Sequence, residues 1–63
     1  MPIVMVDWMV GRSQEQTDKV AEKITEALVE YGKAKPDAVT IIFHENTAEN
    51  SYKAGVSLKK LKF

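Results

Sequence analysis

Two residues near the start of the chain have side chains and positions suited to chemistry. Pro2 stands directly behind Met1, and Arg12 lies in the turn Gly11-Arg12-Ser13. If Met1 is removed, Pro2 becomes a free N-terminal secondary amine. An α-amino group titrates much closer to neutrality than a lysine, and a base works best when its pKa is near the working pH. An apolar surrounding and a nearby cation both disfavour the protonated amine and lower its pKa further. The pyrrolidine ring fixes φ and limits where the nitrogen lone pair points. With Met1 in place the nitrogen is an amide, and Pro2 is only a proline of the kind tolerated at the first position of a strand. Arg12 carries a planar guanidinium suited to a bidentate grip on a carboxylate; the alternative is a surface arginine at a turn.

Other candidates are weaker. His44 followed by Glu45 has the elements of a proton relay, but its place at a strand end favours a structural or exposed role. His44 is the one imidazole and there is no cysteine, which argues against a protein-only zinc site and against a disulfide framework. Neither a metal nor a cofactor is expected. Nine basic and nine acidic residues cancel, leaving no electrostatic footprint for nucleic acid. The lysine-rich tail Lys59-Lys60-Leu61-Lys62-Phe63 reads as a solvated end. The opening apolar run is too short to span a bilayer, lacks a basic leader and carries Asp7, so it does not read as a signal peptide. A cytoplasmic location without membrane contact is expected.

The elements that must position these residues are legible in outline. Pro2 to Met9 is nearly continuously apolar and suits a strand covered on both faces, as in parallel pairing. Gly11 breaks it. Ser13-Gln14-Glu15-Gln16 has the form of a capping box, and Glu15 and Asp18 favour the positive end of the helix dipole. An apolar stripe through Val20, Ile24, Ala27, Leu28 and Tyr31 predicts a helix over residues 14–31, ended by Gly32 as the residue after the cap and by Pro36. Val39-Thr40-Ile41-Ile42-Phe43-His44 is β-branched and aromatic, as strands prefer. The result is a βαβ unit with parallel strands. Residues 46–63 read as a turn or short helical piece followed by a short hairpin-like strand around Tyr52–Leu58. The whole, residues 1–63, is one domain.

A domain of this length buries only about 60% of the surface its unfolded chain exposes, and one helix covers only one face of two strands. With no disulfide or metal to compensate, oligomerisation is the expected staple. A second copy would cover the other face, so a homo-oligomer, a dimer at least, is expected.

Met1-Pro2-Ile3-Val4 at the start, Gly11-Arg12-Ser13 opening a long helix, the strand Val39-Thr40-Ile41-Ile42 and the glycine-containing arm together resemble the 4-oxalocrotonate tautomerases, over essentially the whole chain. The resemblance implies an α+β, βαβ tautomerase fold with parallel strands, one long helix and a short C-terminal hairpin-like arm, assembled as a hexamer of three dimers. It implies a cofactor-independent keto–enol tautomerase acting on a small 2-hydroxy-dienoate or enol-pyruvate type carboxylic acid. Pro2 would be the catalytic base after Met1 is cleaved, Arg12 would bind the substrate carboxylate, and Met9 would line the pocket. The family's aromatic wall residue falls near Ser51 or Tyr52, and Tyr52 is the candidate. Thr40 stands where the better-known members have a second arginine. It donates one hydrogen bond but cannot hold a negative charge as a cation would, which argues against a dicarboxylic muconate-type substrate. Two alternatives stay open on the same fold: hydratase, dehalogenase or decarboxylase chemistry with the prolinium as acid, and a non-catalytic oligomeric binding module.

Overall fold

The computed structural model describes residues 1–60; residues 61–63, the end of the lysine-rich tail, lie outside the described residues. The first strand, β1, spans Ile3–Met9. Gly11 turns the chain with φ of 131°, a value side chains rarely tolerate. The capping box then forms as the sequence predicts. The Ser13 hydroxyl accepts the Gln16 N–H at 3.1 Å, and the Gln16 side-chain oxygen accepts the Ser13 N–H at 2.9 Å. Helix α1 spans Gln14–Glu30, with Tyr31 as its C-cap.

The helix end differs in detail from expectation. The left-handed step falls at Lys33, with φ of 57°, and not at Gly32. Gly32 is required by space instead: a Cβ there would lie 2.7 Å from the Leu28 carbonyl oxygen. That same oxygen accepts the Ala34 N–H at 3.2 Å. After a 3-10 turn at Pro36–Ala38, strand β2 runs Thr40–Asn46. It starts one residue later than expected and extends two residues further. Glu45 and Asn46 stay in it because they remain in register with Trp8 and Met9.

β1 and β2 are parallel neighbours, from Ile3 opposite Thr40 to Met9 opposite Asn46. Alternation assigns one face to the helix. Val4, Val6, Trp8, Ile41 and Phe43 are half-buried, as are Thr17, Val20, Ala21, Ile24, Thr25, Leu28 and Val29 of α1. The helix stripe is therefore rotated from the expected one. Ala27 is exposed and Tyr31 is 80% exposed. Their places are taken by Ala21, Thr25 and Val29, two of which an apolar count passes over or weights lightly.

The opposite sheet face is open in the single chain, so β1 is not covered on both sides as its composition suggests. Ile3 and Met5 are each 60% exposed, and no described residue is fully buried. The accessible surface is 5099 Å², against about 4,100 Å² for a compact monomer of this mass. The radius of gyration is 15.2 Å, where a compact chain of this length has about 10.6 Å. The single chain thus leaves its core open on one side.

The C-terminal arm forms its own two-stranded antiparallel sheet, β3 (Tyr52–Lys53) with β4 (Val56–Ser57). Lys53 faces Val56 across the two-residue turn Ala54-Gly55. The arm is tied to the loop after β2: the Ser57 hydroxyl donates to the Ala48 carbonyl at 2.9 Å, and the Leu58 N–H to the Ser51 carbonyl at 2.8 Å.

Candidate active site

The candidate residues gather in two places. Pro2 is half-buried just before β1, and its carbonyl accepts the Thr40 N–H at 3.0 Å. Thr40 opens β2 opposite Ile3. Pro2 and Thr40 therefore share the starting edge of the parallel pair. Met1, ahead of them, is 90% exposed.

Arg12 lies beyond the other end of β1. Its Nη1 donates to the Met9 carbonyl at 2.9 Å, and its guanidinium carbon sits 4.0 Å from the centre of the Trp8 ring. The Ser51 hydroxyl lies 3.9 Å from the Met9 sulfur and donates to the Thr47 carbonyl at 2.8 Å. Tyr52 follows it, well exposed at the start of β3. Arg12, Met9 and the Ser51-Tyr52 corner thus cluster together, while Pro2 and Thr40 stand apart. The seven residues of β1 span about 20 Å at 3.3 Å per residue. Within one chain the prospective base and the prospective carboxylate grip do not meet.

An open groove of about 610 Å³ beside the helix start is lined by Arg12, Ser13, Glu15, Gln16, Lys19 and Val20. A larger groove of about 760 Å³ follows the helix flank from Asp18 to Glu30 and holds none of the candidate residues. It is a feature of an unpartnered helix and not of the chemistry.

His44 does not pair with Glu45. Its Nδ1 lies 3.4 Å from the Asp7 carboxylate, directly across the sheet, on the open face between Met5, Ile42, Met9 and Asn46. Glu45 alternates to the other side. The aromatic layer beneath Arg12 was not legible as part of a site. Trp8 stacks on Phe43 with centroids 4.9 Å apart and planes 25° from parallel. Only the short interval from Trp8 to Arg12, bridged by a glycine turn, hinted at it. Among the described residues no three or more His, Cys, Asp or Glu side chains gather as for a metal ion, and no helix is long and apolar enough to cross a membrane.

The chain resembles known proteins over nearly its whole length. A family model described as tautomerase enzyme matches residues 2–61. A 2-hydroxymuconate tautomerase of Comamonas testosteroni is 43% identical over 61 residues, covering 97% of this chain and 97% of the relative. Among solved structures, YwhB, described as a homologue of 4-oxalocrotonate tautomerase, superposes with a TM-score of 0.86 at 30% identity, over 97% of this chain and all of that one. A heterohexameric 4-oxalocrotonate tautomerase from Chloroflexus aurantiacus J-10-fl shares the fold, with a TM-score of 0.82 at 22% identity, over 98% of this chain and all of that one.

Proposed function

The chain belongs to the tautomerase family and is an isomerase, and on that premise we propose that it is a cofactor-independent keto–enol tautomerase of a small 2-hydroxy-dienoate or enol-pyruvate type acid, acting in the cytoplasm. Removal of Met1 converts the Pro2 nitrogen from an amide into a secondary amine with a free lone pair. That amine takes the enol hydroxyl proton. As the electrons shift through the conjugated system to make the ketone, a proton is returned to carbon. One group serves both steps, so no metal or cofactor enters the cycle. Arg12 holds the carboxylate with paired hydrogen bonds, and Met9 and Tyr52 line the apolar part of the pocket.

The observation that carries this reading is the position of Pro2. The family match begins at this residue, and its carbonyl is fixed to the first amide of β2, so the freed nitrogen is held at a defined place. The distance from Pro2 to Arg12 then requires a second copy. The starting edge of one copy's strands meets the Arg12 end of another's, in a hexamer of this chain, and the open face around Ile3 and Met5 becomes buried between copies. Thr40, beside Pro2, supplies a hydrogen bond and no charge, which favours a substrate with a single carboxylate at the Arg12 end.

Two measurements on protein made with normal N-terminal processing test the proposal. Its intact mass is expected to lack one methionine. Ketonisation of a 2-hydroxy-dienoate is expected to slow strongly in Pro2→Ala, with a residual rate because alanine also offers a free amine. Retained Met1, or equal rates from the two proteins, would remove Pro2 from the mechanism.

A further inference from the structure

Arg12 is exposed in the single chain, but one face of its guanidinium is covered. Its guanidinium face lies over the Trp8 indole at 4.0 Å, and the indole is backed by the Phe43 ring at 4.9 Å, nearly parallel. Met9 takes one of the five guanidinium N–H donors through its carbonyl. No carboxylate among the described residues lies within ion-pair distance of Arg12, although acidic side chains are plentiful on the helix just beyond it. The cation is therefore clamped by an aromatic face on one side and a backbone carbonyl at one edge, with the rest of its donor fork unclaimed. An arginine side chain carries much rotamer entropy, and binding is stronger when that freedom is removed beforehand.

We infer that Trp8, supported by Phe43, is a positioning residue for Arg12: the indole fixes the plane of the guanidinium so that its free N–H fork is presented to the substrate carboxylate. This rests on the proposed role of Arg12 as the carboxylate grip. The contact has two parts that differ in origin. Guanidinium over an aromatic face is an electrostatic attraction to the ring quadrupole, which a flat aliphatic surface lacks. The Phe43 stack holds the indole itself still, since the two rings share the helix-facing side of the sheet. Trp8 thus acts through Arg12 and touches no reacting atom.

Trp8 is the single tryptophan of the chain, so its fluorescence reports on Arg12 directly. Crotonate, an unsaturated monocarboxylate that has no enol, serves as the probe. Titration of the processed protein is expected to shift Trp8 emission saturably, and Arg12→Gln is expected to change the emission of the free protein and abolish the response. In turnover, Trp8→Leu is expected to lower kcat/KM for a 2-hydroxy-dienoate roughly 2- to 30-fold, the range of a cation–π contact, mostly through KM. A neutral enol without a carboxylate is expected to be unaffected, and Trp8→Phe is expected to recover most of the loss. If Arg12→Gln is costly but Trp8→Leu is not, or if Trp8→Leu harms both substrates alike, the positioning role is overturned and the Arg12 grip stands. If Arg12→Gln leaves the dienoate reaction untouched, the grip itself fails and takes this inference with it. Should Trp8→Leu not assemble, the titration decides. Crotonate binding seen by calorimetry, lost in Arg12→Gln, yet silent in Trp8 emission would overturn the inference.

Discussion

Arg12→Ala removes a charged donor whose remaining fork has no acceptor among the described residues, so the change leaves no orphaned carboxylate behind. A hydrogen bond to a charged group is worth about 1.5–3 kcal/mol, which corresponds to roughly a 10- to 150-fold loss in kcat/KM on a carboxylate substrate. The loss is expected mainly in KM if the contact is uniform through the reaction. A neutral enol should lose much less, and steady-state kinetics on the two substrates separates these outcomes. Equal losses would mean that Arg12 holds the fold through Met9 and Trp8. The types and places of Pro2 and Arg12 were readable from the chain alone, because a proline behind methionine and an arginine in a glycine turn are local features. Trp8 was not readable in the same way. An aromatic residue in an apolar strand has the same appearance whether it fills a core or carries a cation. Only the turn at Gly11 brings Arg12 back over it. His44 is exposed near the strand end, as its place in the sequence favours; its neighbour was not legible, because adjacency in sequence puts Glu45 on the opposite face of a strand and the parallel register brings Asp7 beside the imidazole instead.

Helix α1 begins where its chemistry says it should, because the capping box is a local motif with reciprocal hydrogen bonds. Ser13→Ala is expected to cost about 1 kcal/mol, within the usual 0.5–2 range for a lost N-cap. Denaturant titration at one fixed protein concentration is the measure, and a change within error would deny the cap its role. Its inward face was less legible, since Thr17 and Thr25 lie inward and hydropathy counts them as polar. Gly11 is a different kind of constraint. A Cβ there would meet nothing within 4 Å, so space is no obstacle, but φ of 131° is. Gly11→Ala should therefore cost about 1–3 kcal/mol of backbone strain and swing Arg12 away from Trp8, so its emission should shift as in Arg12→Gln. In the arm, Ala54 occupies φ of 49° at the first turn position, a left-handed value that costs an L-residue about 1–2 kcal/mol. Two-residue hairpin turns with positive φ favour Asn-Gly. Ala54→Asn is accordingly expected to raise the denaturation midpoint, and a lowered midpoint would show that the turn is shaped by a partner copy.

At the scale of the whole molecule, a chain with no fully buried described residue and an open apolar sheet face does not close its own core. Exposed apolar surface of that extent marks an interface, and unfolding should depend on protein concentration because dissociation and unfolding are linked. A stable folded monomer in sedimentation at micromolar concentration would contradict this. The sharper consequence concerns the site. Pro2 and Arg12 stand at opposite ends of a strand about 20 Å long, yet a proton transferred on a small acid and the grip on its carboxylate must be a few ångströms apart. In the proposed mechanism they therefore come from different copies. Pro2→Ala and Arg12→Ala, each impaired alone on a carboxylate substrate held well below KM, should then complement one another. When the two variants are unfolded together and refolded as mixed oligomers, some sites join an intact Pro2 from one copy with an intact Arg12 from another. Activity should rise above that of either variant and above the unmixed sum. Variants mixed without unfolding are the control, since they exchange no copies while the oligomer holds. If the refolded mixture is no more active than its components, the two residues serve the same chain, and the strand that separates them in the single copy must give way for catalysis.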